Sequence, residues 1–404
     1  MKQKQIIILG GGASGLAAAI VAARAGRHVT LLERGDRVGR KLLATGNGRC
    51  NLANTGGYAY YGDAGFAREV LGHMPPRAVL DFFDGIGLPT RAESSGRVYP
   101  ACNQAAAVLD VLRCALDASG VQVLCGTEAR EISRQDGRWR VRCPQEVFTA
   151  DSVIVCCGGL AGPRLGAVGS YGLLTALGCR MIPAGPALTP LETEKAPLKG
   201  LSGLRLPAVL TLCCGEGPVE AARGEVLFTD YGVSGVCAMQ LARTADTLLQ
   251  QGKIPRLYID FSPSLGLGDY TQCRMEPRPP REKEPVLRDW MRRREQILPP
   301  EQALLGALPR LLREKLAHAP ARELPELLCA YPLTVTGVRG YDQAQVTRGG
   351  IDCACFDPSS MQHRQLPGLY ACGEILNVDG DCGGFNLQFA FATGLLAGQA
   401  CGKR

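Results

Sequence analysis

Gln5 to Leu9 is a run of branched apolar residues, Gly10-Gly11-Gly12-Ala13-Ser14-Gly15 follows at once, and Leu16 to Ala25 is rich in alanine. That order reads as strand, glycine turn, helix. In such a unit Gly10 permits the tight turn, Gly12 lets the backbone approach a pyrophosphate, and Gly15 lets the helix pack closely on the strand. The helix N-terminus, at Ala13 and Ser14, offers unpaired N–H groups and a positive dipole end to phosphate. A second strand, Val29 to Leu32, ends in Glu33, 18 residues beyond Gly15, where a carboxylate can accept hydrogen bonds from a ribose. Arg34 follows it. With strand, helix, second strand and terminal acid in register, the opening segment specifies a β-α-β dinucleotide-binding unit in an α/β fold.

A different reading of the same segment is a secretory leader. Met1 to Lys4 is basic, Gln5 to Ala23 carries no charge, and Ala23-Arg24-Ala25 imitates a cleavage site. Four glycines interrupt the apolar run, however, and it continues into the second strand. The expectation is therefore a cytoplasmic chain with no membrane span. The 18 cysteines agree with that. Two pairs are adjacent (Cys156 with Cys157, Cys213 with Cys214), Cys353 and Cys355 form C-x-C, and no C-x-x-C occurs, so the clusters that zinc ribbons and iron–sulfur sites need are missing. A chain of 404 residues buries a core without disulfide staples, so the cysteines read as reduced, small apolar residues and no metal is expected. The four histidines are scattered: His28 in the second strand, His73 and His363 in surface segments, His318 beside a proline.

Net charge is +7. The densest basic stretch, Arg274 to Glu295, sets eight Arg or Lys against five Asp or Glu. A nucleic-acid patch is one reading; the interleaved acids favour a solvated helix face.

The ribose acid does not separate FAD from NAD, so a second dinucleotide unit matters. None is found. Val153 to Cys157 leads into Gly158-Gly159, but Leu160 to Arg164 contains a proline and no G-x-G-x-x-G. A single unit favours a resident flavin over a transient nicotinamide. Arg40 to Asn54 reads RKLLATGNGRCNLAN, in which Lys41, Gly46, Asn47, Gly48, Arg49, Cys50 and Asn51 can wrap a phosphate and meet a flavin edge through backbone and amide groups. Near the C-terminus, Leu369 to Cys372 is a short strand, Gly373-Glu374 ends it, and Gly383-Gly384-Phe385-Asn386 precedes an apolar helix beginning at Leu387. That geometry aims another helix N-terminus at a ligand.

Taken together, the glycine turn, the 40–54 loop, GRVYP from Gly96, GEVLFTDYGVSG from Gly224, VTRGGI from Val346 and GLYACGEILNVDGDCGGFNLQFAFATG from Gly368 resemble the BaiN-like flavoproteins, in order and across essentially the whole chain. The resemblance implies a glutathione-reductase-type FAD-binding Rossmann domain split in sequence. Its parts would be residues 1–185 and 349–404, interrupted by a β-rich, barrel-like insert at 186–265 and 329–348 with a helical insertion at 266–328. It also implies that Asp379 or Asp381 lies near the ribityl or phosphate portion. One departure stands out: Cys156-Cys157-Gly158-Gly159 replaces the usual Ala-Thr-Gly-Gly, which keeps a backbone role and removes a threonine hydroxyl.

Family members are associated with reducing carbon–carbon double bonds conjugated to a ketone in bile-acid intermediates. The resemblance therefore implies an apolar small-molecule substrate, FAD held tightly, and NAD(P)H as transient donor. Tyr99, Asn386 and Arg49 are the candidate donors to the developing enolate. Cys50 faces either the flavin or the core. A flavin amine oxidase producing peroxide and a flavin-bearing RNA-binding module are the rival expectations. A disulfide reductase is disfavoured because Cys50 has no partner five residues away. No motif sets an oligomeric state.

Overall fold

The computed structural model describes residues 3–215, 217–268 and 273–402. Part of the expected helical insertion (269–272), Glu216 and the first two residues of the basic start, Met1 and Lys2, therefore lie outside the described residues, as do Lys403 and Arg404. The chain divides into two compact units, one of Met1–Gly185 with Gln345–Arg404 and one of Pro186–Ala344.

The first unit is built on a five-stranded parallel sheet. Its strands are β1 (Gln5–Leu9), β2 (His28–Glu33), β3 (Gln122–Cys125), β4 (Ser152–Val155) and β5 (Leu369–Ala371), in the order β5-β4-β1-β2-β3. β1 is central and buried on both faces, which is why it reads as Ile-Ile-Ile-Leu rather than alternating. Register is fixed on both sides of it, with Ile8 opposite Leu31 and Ile154. Three helices matter for the site: α1 (Ala13–Arg24), α2 (Ala105–Ala118) and α3 (Phe385–Ala400). α1 packs directly on α3. A Cβ on Gly394 would stand 2.3 Å from the Ser14 carbonyl oxygen, and one on Gly398 2.6 Å from that of Ala18. Glycine at both positions is what lets the two backbones touch. Strands Met181–Ala187 and Val346–Ile351 pair with each other where the chain leaves this unit and returns.

The second unit has its own core. Strands Arg205–Cys214, Arg256–Asp260, Tyr331–Val338, Leu191–Thr193, Gly232–Ser234 and Gly217–Phe228 pair in that order, and the last pairs back to the first. All these pairings are antiparallel, and the return of the last strand to the first closes the sheet as a barrel, with the short strand Cys273–Met275 added beside Gly217–Phe228. The helix Val236–Gln250 lays Cys237, Ala238, Leu241, Ala242 and Ala245 on the barrel's core, and helices Glu284–Glu295, Arg310–Leu316 and Leu324–Cys329 add Leu287, Leu312 and Leu328 to it. In the basic stretch the acids take up the bases at helical spacing: Arg278 with Glu282, Arg288 with Glu284, Arg293 with Asp289.

No helix among the described residues is long and apolar enough to cross a membrane.

Candidate cofactor and active site

A cavity of about 330 Å³ opens at the carboxyl ends of β1, β2 and β4 in the first unit. Gly10, Gly11, Gly12, Glu33, Arg34, Lys41 and Gly158 line it, together with Arg37, Arg40 and the segment Thr127 to Ala129. The glycines divide by role. A Cβ on Gly15 would fall 1.9 Å from the Gly10 carbonyl oxygen, so the fold itself requires that glycine. A Cβ on Gly12 would meet no atom within 4 Å, and its φ of −84° suits any residue. Nothing in the chain demands glycine there; the open space lies over the α1 N-terminus, where a phosphate would sit. Ala13 and Ser14 belong to that helix start by their backbone. The Ser14 hydroxyl points elsewhere, into the buried contact with Gly373.

Glu33 does more than await a ribose. Its Oε2 accepts from the Gly11 N–H at 2.7 Å and its Oε1 from the Gly35 N–H at 2.6 Å. The carboxylate therefore ties the glycine turn to the end of β2, and each oxygen retains a further lone pair. Arg34 donates to the Gly166 carbonyl at 2.7 Å, which places its charge on the cavity rim.

Lys41 pairs with Glu374 at 2.6 Å. The other oxygen of Glu374 accepts from the Thr347 N–H at 2.9 Å, and the Thr347 hydroxyl accepts from the N–H groups of Leu160 and Ala161 at 2.8 and 2.9 Å. This chain of contacts joins the 40–54 loop, the returning strand, the C-terminal block and the segment after Gly158. Thr347 supplies a hydroxyl beside Gly159, the neighbourhood from which the Cys156-Cys157 exchange removed one.

The rest of the 40–54 loop lies against the start of α3. Asn54 donates to the Gly383 carbonyl at 2.8 Å and receives Gln388 Oε1 on its backbone N–H at 2.8 Å. A Cβ on Gly384 would meet Ala53 O at 2.4 Å and Asn51 Oδ1 at 2.6 Å. That Asn51 oxygen is buried and has no hydrogen-bond partner among the described residues, so an acceptor is held ready in a dry place. The loop backbone is unusual: Gly46, Asn47 and Gly48 have φ of 57°, 55° and 81°, and Cys50 has φ of 58°. Cys50 is fully buried, and burial pushes its thiol up to about 12. It packs in the core, so a thiolate facing the flavin is not its role.

Arg49 and Tyr99 come together. The guanidinium lies 3.9 Å over the Tyr99 ring, donates to Glu93 at 2.9 Å, and reaches Asn103 Oδ1 from Nε and Nη2 at 3.3 and 3.1 Å. The side-chain hydrogen bonds of Arg49 among the described residues use Nε and Nη2, which leaves Nη1 and the Tyr99 hydroxyl outside them. Desolvation by burial raises the Tyr99 phenol above its usual range, so it carries its proton at neutral pH. Asn386 differs from expectation. Its amide accepts from the Gly380 N–H and donates to the Gly380 carbonyl, both at 2.8 Å, closing the turn before α3. An engaged amide is a turn brace, not a free donor to substrate. Phe385 is buried against Tyr60, Leu387 is half-buried, and Asp379 and Asp381 are buried, the latter accepting from the Tyr61 hydroxyl at 3.1 Å. Gly373 donates its N–H to Thr393 Oγ1 at 3.0 Å.

Of the cavity's lining, Arg37 and Arg40 had a signal in the basic run after Glu33, whereas Thr127 to Ala129 had none. Glu93 and Asn103 likewise carry no motif that ties them to Arg49.

A family model described as HI0933-like protein Rossmann domain matches residues 4–400. The 3-dehydro-bile acid delta(4,6)-reductase of Clostridium scindens is 36% identical, over 99% of this chain and 99% of that one. The ribosomal RNA dihydrouridine synthase of Haemophilus influenzae is 27% identical over 96% of both chains, and that of Escherichia coli is 26% identical over 97% of this chain and 96% of its own. Among solved structures, 3-ketosteroid delta1-dehydrogenase from Sterolibacterium denitrificans shares the fold, with a TM-score of 0.50 over 98% of this chain and 99% of that one at 13% identity.

Proposed function

The chain belongs to the HI0933-like Rossmann family and is an FAD-dependent oxidoreductase, and from that premise we propose that it reduces a carbon–carbon double bond conjugated to a carbonyl, in an apolar steroid-like ketone, with electrons from NAD(P)H. The observation that carries this reading is the 36% identity, end to end, with a reductase of a 3-dehydro bile acid.

The residues present fit FAD. Gly10 to Gly12 and the α1 N-terminus would take the pyrophosphate, Glu33 the adenosine ribose, and Arg34 and Lys41 would add positive charge at the rim. The Asn51 acceptor and the α3 N-terminus would meet the ring end. Bound flavin supplies two-electron hydride chemistry.

What the chain adds is charge and a proton. Hydride arriving at the β-carbon drives negative charge onto the substrate carbonyl oxygen. Arg49, held by Tyr99, Glu93 and Asn103, keeps Nη1 free to donate to that oxygen without reorganising. Tyr99, neutral and with its hydroxyl unpaired, is the proton source for the α-carbon or the enolate. The two act side by side, so loss of Arg49 also removes the stack that holds the phenol.

A second reading has its own observation, the two relatives named for ribosomal RNA dihydrouridine synthesis. A uracil ring also presents a double bond conjugated to a carbonyl, so the chemistry is shared and the substrate differs. One experiment separates them. FAD-loaded protein is reduced anaerobically with NADH or NADPH, then offered conjugated steroid ketones or uridine-containing ribosomal RNA. Rapid reoxidation by the ketone, slowed about 10²-fold or more in Arg49→Ala, supports the proposal. Reoxidation by RNA alone replaces it with the second reading. Oxygen uptake with amines and no nicotinamide replaces both with the oxidase.

A further inference from the structure

Away from the cavity, Cys179, Cys355 and His363 come together in the first unit. Two sulfurs and one ring nitrogen all lie within 4.8 Å of one another. Cys179 precedes the strand Met181–Ala187, and Cys355 ends the short turn Cys353–Cys355 after the strand Val346–Ile351. Those strands pair, and the Asp352 N–H donates to the Arg180 carbonyl at 3.0 Å, so the backbones beside the two thiols are already tied. His363, expected at the surface, is buried instead and stands edge-on to Phe356, with ring centroids 5.4 Å apart.

Two thiols and an imidazole suggest either a thiophilic metal or a disulfide, and the imidazole's hydrogen bonds choose between them. Nδ1 accepts from the backbone N–H groups of Gln365 and Leu366, both at 3.1 Å. A neutral imidazole has one nitrogen lone pair and one N–H, and burial lowers the His363 pKa and keeps the ring neutral. Its lone pair is therefore taken, and its proton sits on Nε2. A cation requires a free lone pair. The ring's remaining hydrogen-bonding group, Nε2–H, is a donor, which suits a thiolate.

We propose that Cys355 and Cys179 are a site of reversible oxidation by peroxide, closing to a disulfide beside His363. Cys355 is part-exposed and Cys179 is buried, so Cys355 meets the oxidant and Cys179 resolves. The Cys355 thiolate attacks one peroxide oxygen; the S–O bond forms, the O–O bond breaks, and the departing hydroxide takes a proton and leaves as water. Cys179 then gives up its proton and attacks the sulfenic sulfur; the S–S bond forms and the second oxygen leaves as water. Two thiols lose two electrons, and one peroxide becomes two waters. Burial and the neighbouring Cys355 charge push the Cys179 thiol up to about 12, so it stays protonated as Cys355's partner until that step. An external dithiol restores both thiols by exchange.

The test uses the full-length, FAD-loaded, reduced protein with substoichiometric hydrogen peroxide, followed by alkylation and peptide mapping. Exposed Cys102, Cys114 and Cys125 serve as internal controls. The expected result is a Cys179–Cys355 cross-linked peptide that accumulates before any control is modified, with two thiols lost per cross-link. It is absent in Cys355→Ser and forms several-fold more slowly in His363→Gln, with the flavin spectrum unchanged in both. Oxidation of the controls while Cys179 and Cys355 both remain alkylatable overturns the proposal. So does one equivalent of zinc that copurifies with the protein and is lost in Cys355→Ser.

Discussion

At the scale of single residues, Gly12 and Gly15 look alike in sequence and differ in what forbids a side chain. Gly15 is required by the Gly10 carbonyl, Gly12 by nothing in the chain. Gly15→Ala is therefore expected to destabilise the apoprotein by about 1–3 kcal/mol through overpacking. Gly12→Val should leave the apoprotein's melting temperature within a degree or two and weaken FAD binding at least tenfold. Melting curves of the apoproteins and fluorescence titration with FAD check both. Equal FAD affinity in Gly12→Val would remove the pyrophosphate from that turn. Glu33 shows the reverse economy of roles, since one carboxylate both braces the turn and faces the cavity.

At the scale of elements, the α1–α3 contact sets two magnitudes against each other. Gly394 lies inside a helix, where alanine is intrinsically better by about 1 kcal/mol. Its added Cβ would stand 2.3 Å from the Ser14 carbonyl, and overpacking against a rigid backbone costs about 1–3 kcal/mol. Gly394→Ala should therefore lower the melting temperature, because neither helix backbone can give way cheaply; a rise would mean that the helices slide apart freely. Elements of this kind explain what could be read in advance. β1, α1, β2 and Glu33 were legible because their signal is local: branched run, glycine spacing, alanine-rich helix, terminal acid. The 40–54 loop and the C-terminal block were legible as motifs, yet their mutual contact was not. Lys41 and Glu374 are 333 residues apart, and no periodicity or spacing links them. Asn386 failed for a related reason. An asparagine after two glycines reads equally well as a ligand donor and as a turn brace, and only the Gly380 contacts decide. His363 was misplaced because its burial comes from Phe356 and from its own turn, not from an apolar pattern.

At the scale of the whole molecule, the buried thiols make an alkaline limit. Cys50 in the first unit and Cys237 in the second are both fully buried, and burial pushes each thiol up to about 12 from an ordinary 9. The folded-state value lies above the unfolded one, so the stabilisation is complete below pH 9. It is lost as pH rises towards 12, because the unfolded chain ionises first. Each thiol removes up to about 1.4 kcal/mol per pH unit in that window. Melting temperature under reducing conditions should hold between pH 7 and 8.5, then fall steeply above 9. The fall should be shallower in Cys50→Ala and Cys237→Ala, even if either variant starts lower. A slope unchanged in both would assign the alkaline limit to other groups.

The split of the first unit has a consequence for how the protein is made. β5 and α3 come from the last stretch of chain, yet β5 completes the edge beside β4, and α3 covers α1 and meets the 40–54 loop. During synthesis, the barrel unit of Pro186–Ala344 is continuous and can close while the β4 edge still waits for its neighbour. An unpaired parallel edge and an uncovered apolar helix are what misassembly feeds on. A chain that stops short of residue 369 thus keeps its glycine turn but lacks the Glu374 partner of Lys41 and the Gly383 and Gln388 contacts of the 40–54 loop, and retention of the yellow colour reports that this late stretch has docked.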